Sequence, residues 1–554
     1  MPKAKTGRPA PGRHNSRLPD PASAVPLTLD AVVSVARGER ARAEELYRQA
    51  IRINPRLAGA WLGLGLEFLE KHDFGEAFRC LERADAEASR NLRKFPGDRP
   101  SHVARCMANG VLYRPAEAVE SARRALELEP DRKMHSNMIF QMNFLPETTP
   151  EALYAEACRW NSLYAAPGKE PPRPHPNVAD PGRRLKIGYV SPDLYDHAIM
   201  RFLPPILEFH DRSRFAVTVY SVGTKSDHCT DVIRNLAASF VSCTLSGEAL
   251  EERVRADEID ILVDLAGHTM PPEQLMVFAR KAAPIQVSWL GLLSTTGLPQ
   301  MDYYLGDREI PCPGTESCFS ETVYRLPRIA AVYRPALDIP VAPSPSRERG
   351  YITFGSFNNP AKIGRHVVKV WSQVLRSVPR SRILLKYRTM ETEVMRERFQ
   401  GWFSKEGIVR ERVELAGPSQ PREYLESYGQ IDIALDPFPY QGGSTTLDTL
   451  LMGVPMVAMA GRLTVQRGTS SALKSLGLAD MVVDSPEQYV KAAVFVAGLV
   501  GKIPDIRRNV SKAFRSSPVM DEAGFTRDLE AAYRDMWRTW CRKQPPAASA
   551  PDRE

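Results

Sequence analysis

Eight cysteines are scattered over 554 residues, and no two of them stand as a C-x-x-C pair. That usage argues against a disulfide framework or a structural zinc site, and it fits a reducing, cytoplasmic compartment. No run of about 18 apolar residues occurs, so no membrane span is expected. The stretch Met1 to Pro26 is basic and rich in Pro, Ala and Arg. It lacks the apolar core of a secretory signal and reads as a disordered tail. There is no G-x-x-x-x-G-K-[ST], which argues against a P-loop ATPase, and no G-x-G-x-x-G after a strand. No Asp-x-Asp pair occurs either. A diphosphate held through a divalent metal commonly needs such a pair, so metal-free neutralisation by a helix dipole and a lysine is favoured, and no metal or cofactor is expected. The formal net charge is +8, but the positive residues are dispersed, with a local excess mainly in the tail. Nucleic acid is therefore not the expected partner.

What is present begins with a repeat. Ala43, Ala50 and Pro55 have the spacing of the second helix of a tetratricopeptide repeat and the turn after it. Trp61, Leu64, Gly65, Phe68, Ala77, Leu81 and Ala84 then follow the W-x2-L-G-x2-Y…A-x3-F-x2-A pattern. Ala43 to Ala77 is 34 residues, the period of that repeat. Ala118, Ala122, Ala125 and Pro130 repeat the second-helix pattern after 41 residues, about seven more than the period. Small residues let paired helices approach, and Trp61 fills the gap beside them. The plainer reading is a generic helical hairpin. Two or three repeats bury little alone, so packing on a helical cap such as Pro150 to Ala165 is expected.

A Pro-, Gly- and charge-rich linker follows, and the pattern changes. Short apolar runs alternate with amphipathic stretches: Leu185 to Val190, Phe215 to Val222, Ile259 to Leu265 and Ile285 to Leu290. After a loop-rich stretch from Asp302 to Arg349, a second series runs Tyr351 to Phe354, Ser381 to Lys386, Arg412 to Leu415, Ile431 to Leu435, Pro455 to Ala458 and Met481 to Val483. Such alternation predicts parallel sheets covered by helices, and two consecutive open α/β units leave a cleft outside the carboxyl ends of their strands. A last helix, about Phe525 to Trp540, is placed to brace the first unit. The chain thus divides into a disordered basic tail (1–28), helical repeats and cap (29–165), linker (166–184), first lobe (185–349), second lobe (350–540) and a C-terminal disordered tail (541–554).

Three segments could carry chemistry. In Asp436-Pro-Phe-Pro-Tyr440-Gln-Gly442-Gly443-Ser444-Thr445-Thr446, a buried-type strand ends in a turn and opens a helix. Glycines let a phosphate approach the backbone, the helix start offers free N–H groups, and three hydroxyls add donors. Ser444 or Thr445 acting only as a helix cap is the plainer alternative. Lys362 follows the first strand of the second series, where an ammonium can neutralise a departing diphosphate; the alternative is a solvated surface lysine. His197, just past the first strand of the first series, suits a general base or substrate contact, although a lone His is more often structural. His268, in Asp264-Leu-Ala-Gly267-His268, is a weaker candidate of the same placement.

Together these segments resemble glycosyltransferase family 41, the family of protein O-GlcNAc transferase and SPINDLY, from about Asn137 to Trp540. Ala283-Pro-Ile-Gln286-Val-Ser-Trp289-Leu-Gly291, Ser294-Thr-Thr-Gly297, Met301-Asp-Tyr303, Ser356-Phe-Asn-Asn359 and Gly453-Val-Pro455-Met-Val457 carry the resemblance further. It implies a GT-B catalytic region of two Rossmann-like lobes behind the helical repeats. The implied reaction is inverting, metal-independent transfer of a sugar to Ser or Thr of a protein or peptide acceptor, with UDP-GlcNAc as the expected donor. By the same resemblance, His197 lies close to the donor, Lys362 contacts the diphosphate with Asn359 beside it, and Ser444 and Thr445 match the hydroxyl pair there. Asp448 matches the acid that holds the ribose, and Tyr424 falls near the nucleobase where the family has a His. Gly443 replaces a His of the animal enzymes, and Leu292-Leu293 replaces Tyr-Pro, which opens the choice of sugar and acceptor. The Gly-Gly-Ser-Thr-Thr form is closer to the bacterial and SPINDLY-like branch, so O-fucosyl transfer from GDP-fucose is the alternative donor chemistry, with N-glucosyl transfer a weaker one. A catalytically inactive tetratricopeptide scaffold is the alternative of a different class.

Overall fold

A computed structural model describes residues 20–165, 173–243, 247–269, 273–503 and 505–544. The chain divides into two compact units, Met1–Leu112 and Tyr113–Glu554. In the first, helices Ala24–Ala36, Arg40–Ile53, Ala58–Glu70, Phe74–Leu92 and Arg99–Val111 follow one another through short turns. Ala43, Ala50, Ala77 and Ala84 are fully buried where the helices meet. The close approach is steric: a Cβ on Gly63 would lie 2.2 Å from Cζ of Tyr47. Trp61 is half-buried and donates from Nε1 to the Pro55 carbonyl at 2.9 Å. The seven extra residues have a structural source. The Arg40–Ile53 helix has 14 residues, whereas Phe74–Leu92 has 19 and is followed by a six-residue turn.

The first helix starts at Ala24, inside the stretch expected to be tail. Pro26 lies in its first turn, where a missing N–H costs nothing, so the proline does not stop it. Residues 1–19, most of the expected tail, lie outside the described residues, as do 545–554 at the other end.

In the second unit, Pro115–Leu128 carries Ala118, Ala122 and Ala125 on its buried face, and the helices Arg132–Met142 and Pro150–Trp160 come after it in the chain. Thirteen strands follow among the described residues. The first seven are β1 Leu185–Ser191, β2 Phe215–Ser221, β3 Ser239–Ser242, β4 Ile261–Asp264, β5 Ile285–Ser288, β6 Tyr303–Gly306 and β7 Thr322–Arg325. They form one sheet in the order β3-β2-β1-β4-β5-β6-β7. Then come β8 Thr353–Ser356, β9 Arg382–Lys386, β10 Val413–Ala416, β11 Ile433–Leu435, β12 Met456–Met459 and β13 Val482–Val483, in the order β10-β9-β8-β11-β12-β13. All pairings are parallel: β1 registers Leu185 against Phe215 and Ile187 against Ile261, and β8 registers Phe354 against Ile433. The chain order reverses direction between β1 and β4 and again between β8 and β11. Those two switch points are where open α/β sheets leave a crevice at their carboxyl ends.

Strands buried on both faces read as apolar runs, which is why most of them were visible in the sequence. β3, β6 and β7 were not, and β6 and β7 lie inside the stretch expected to be loop. Each has four residues, and β3 and β7 expose polar positions at the sheet edges. The last helix, Glu522–Lys543, crosses back to the first sheet. Phe525, Leu529, Ala532, Tyr533, Met536 and Trp537 join Tyr189, Val219, Val263 and Val287 in one core. The linker is tied to this helix, with Trp537 Nε1 donating to the Asp180 carbonyl at 2.8 Å. Residues 166–172 of the linker lie outside the described residues.

Candidate active site

The carboxyl ends of β1, β4, β8 and β11 open on a single cavity of about 620 Å³. Its lining includes Asp193, His197, Asn358, Asn359, Lys362, Tyr440 and the run Gly442 to Thr446. Most of the sequence-derived candidates are thus brought together from both lobes, with Asp448, Tyr424 and His268 left outside. The floor is the turn after β11. Gly442 donates its N–H to Asp436 Oδ1 at 2.9 Å, which pins the turn to the strand end. A Cβ on Gly442 would lie 2.2 Å from Thr446 Oγ1 and 3.0 Å from Asp436 Oδ1, so only glycine fits there. Gly443 is exposed to the cavity and precedes the helix Ser444–Leu451. Among the described residues no acceptor reaches the N–H groups of Gly443, Ser444 and Thr445. Three open N–H groups at a helix start carry a positive partial charge into the cavity. Neither Ser444 nor Thr445 acts as the helix cap; Thr445 Oγ1 instead donates to Asn358 Oδ1 at 2.9 Å, joining the β11 and β8 loops.

Lys362 faces this turn. Its Nζ donates to the Gln441 carbonyl at 2.7 Å and lies 4.1 Å from the centroid of the Tyr440 ring. Burial pushes the ammonium down to about 8, opposed by the negative charge of Asp436. Burial pushes the Asp436 carboxyl up to about 7, opposed by hydrogen bonds from Thr469 and Gly442 and by the Lys362 charge. The solvated-surface alternative for Lys362 does not hold. Asn359 lines the cavity and accepts from the Ala361 N–H at 2.9 Å, fixing the turn that carries Lys362.

His197 sits at the exposed edge of the cavity, its ring 5.8 Å from that of Tyr195. Asp193, which sequence reasoning passed over, lines the cavity nearby. Burial raises its carboxyl, opposed by the positive charges of His197 and Lys225. Its position in the first loop of the β1 switch point was the signal that could have found it.

Three candidates do not line the cavity. Asp448 is buried one turn into the helix, and its carboxylate accepts from the Tyr333 hydroxyl and, at 3.3 Å, from Tyr424. Tyr424 also pairs with the Tyr428 hydroxyl at 2.9 Å and packs by Phe357 with centroids 6.1 Å apart. His268 is corrected outright. It is fully buried away from the cavity, its Nε2 contacts the Thr296 carbonyl at 2.9 Å, and its Nδ1 lies 3.1 Å from Ser136 Oγ. Burial pulls it down to about 4, so it is a neutral structural residue.

The sequence matches the profile of glycosyl transferase family 41 over residues 154–332 and 347–529. The chain belongs to glycosyltransferase family 41. Among its relatives are the rice and petunia proteins named probable UDP-N-acetylglucosamine–peptide N-acetylglucosaminyltransferase SPINDLY. The rice protein is 36% identical over 77% of this chain and 47% of its own. The petunia protein is 34% identical over 75% of this chain and 45% of its own. The chain therefore spans about half the length of the curated relatives it matches. Among solved structures, a lysine-to-methionine mutant of the Thermobaculum terrenum O-GlcNAc transferase aligns with a TM-score of 0.83 at 33% identity, over 95% of this chain and 99% of that one. The two parallel sheets behind tetratricopeptide-type helices are thus a GT-B arrangement.

Proposed function

We propose that this chain transfers N-acetylglucosamine from UDP-N-acetylglucosamine to Ser or Thr hydroxyls of protein acceptors, with inversion and without a metal. The observation that carries the reading is the convergence, in one cavity, of three open helix-start N–H groups and the half-buried Lys362 ammonium. The donor's diphosphate rests on Gly443 to Thr445, where backbone donors need no reorganisation as charge develops. The acceptor oxygen forms its bond to the anomeric carbon as the bond to UDP breaks, and Lys362 neutralises the leaving diphosphate. The acceptor's proton passes to His197, a water chain or a phosphate oxygen. Asp448, bonded to Tyr333 and Tyr424, braces the helix start from outside the cavity. The helical repeats offer a surface for the acceptor polypeptide. The names of the rice and petunia relatives support the donor.

GDP-fucose is the second reading, favoured by the SPINDLY-like Gly-Gly-Ser-Thr-Thr form and by the open space at Gly443, where an added Cβ meets nothing within 4 Å. A thermal-shift panel of UDP, UDP-N-acetylglucosamine, GDP and GDP-fucose separates the readings, because a ligand of the folded state raises the melting temperature by mass action. We expect a shift with the uridine ligands that Lys362→Met reduces while leaving the unliganded melt unchanged. A shift with the guanosine ligands alone transfers the reading to fucose. No shift with any of the four at millimolar concentration establishes a scaffold. No helix among the described residues is long and apolar enough to cross a membrane.

A further inference from the structure

Lys362 makes no ion pair among the described residues, although it is half-buried in the cavity wall. One of its three donors is spent on the Gln441 carbonyl. What else holds a flexible four-carbon chain in place is the Tyr440 ring, whose centroid lies 4.1 Å from Nζ. That ring stacks on Phe144, with centroids 4.8 Å apart and planes 23° apart. Phe144 is packed in turn by Phe140 of the helix Arg132–Met142, edge to face at 5.3 Å. A carboxylate in Tyr440's place would neutralise the ammonium and repel a diphosphate. A ring face attracts the cation and leaves its charge available. No hydrogen bond to the Tyr440 hydroxyl is present among the described residues, so the ring and not the hydroxyl makes the contact.

We propose that Tyr440 is a positioning residue for Lys362: its ring, backed by Phe144, holds the ammonium at the diphosphate and links the helical segment to sugar transfer. The inference rests on the reading that Lys362 serves the diphosphate. A charge displaced from the developing leaving group loses stabilisation in the transition state more than in the ground state, so the loss in kcat exceeds any rise in KM.

The test is steady-state release of UDP from UDP-N-acetylglucosamine, with water as acceptor, by the full chain and its variants, each checked by thermal melting. Tyr440→Leu, which keeps an apolar filler, is expected to lower kcat roughly tenfold with a smaller rise in KM. Tyr440→Phe, which keeps the ring, stays within about twofold of the original chain. Phe144→Leu falls between them, and it carries the test if Tyr440→Leu fails to fold. An unchanged kcat in Tyr440→Leu overturns the proposal, as does an equal loss in Tyr440→Phe. Lys362→Met separates this failure from that of the parent reading. If Lys362→Met keeps its rate, or the original chain releases no UDP, the parent reading falls. If Lys362→Met is inactive while Tyr440→Leu is not, only the role of Tyr440 falls.

Discussion

Donor affinity should fall as pH rises through 8, and Lys362 should account for the fall. In the free protein burial brings this ammonium down to about 8. A bound diphosphate places negative charge beside it and returns it toward the ordinary lysine range of about 10.4. The protonated form binds, so the free protein must take up a proton to bind donor above pH 8. Linkage then gives a dissociation constant nearly flat below pH 7, about doubled at pH 8 and about tenfold weaker at pH 9. Asp436, raised by burial to about 7, is mostly ionised above pH 8, where the fall lies, and its charge there opposes loss of the proton from Lys362. The assay is calorimetric titration of UDP-N-acetylglucosamine from pH 6.5 to 9, with heats in two buffers of different ionisation enthalpy to count the protons taken up. Lys362→Met is the control: its weaker binding should not share this dependence, and the nucleobase's own alkaline ionisation contributes to both proteins alike. A dissociation constant constant to within about twofold from pH 7 to 9, or the same slope in Lys362→Met, refutes the argument.

Gly442→Ala should cost donor binding far more than stability, because its methyl meets Thr446 Oγ1 at 2.2 Å and forces the phosphate turn to move. We expect roughly 1–3 kcal/mol lost from donor binding; an affinity matching that of Gly498→Ala, where the new methyl meets nothing within 4 Å, contradicts this. His268 is held neutral at about 4 while its unfolded counterpart protonates near 6.5, so the unfolded chain binds the extra proton and stability is lost as pH falls from 6.5 to 4. Urea unfolding should show about 3 kcal/mol of that loss in the original chain and a flatter dependence in His268→Gln; parallel curves would restore an ionisable role for the residue.

What was legible in the sequence was what backbone physics writes locally. The Gly442 to Thr446 turn could be read because a diphosphate site built from N–H groups needs glycine, a strand end and a helix start in unbroken succession. The alanines at 43, 50, 77 and 84 were legible because helix pairs at close approach admit little else, and all four are fully buried. Side-chain direction was not legible. His268 has the same strand-end placement as His197, yet its loop turns it inward, where Trp160 packs edge-on at 5.1 Å and Ser136 completes its polar contacts. Nothing within ten residues of His268 announces partners more than a hundred residues away. Asp448 and Tyr424 show the same limit. Their association with each other follows from neighbouring helices, but the Tyr333 hydroxyl that takes up Asp448 comes from the stretch where strands β6 and β7 went unseen. Lys362 is the intermediate case. Its strand-end position gave the role, whereas its electrostatics depend on Asp436 and Tyr440, 74 and 78 positions further along the chain. A site of this kind is therefore half local and half assembled. The local half, a turn of open N–H groups, sets what class of group can bind. The assembled half, a ring and a carboxylate around one lysine, sets the pH at which the bound group finds its counter-charge.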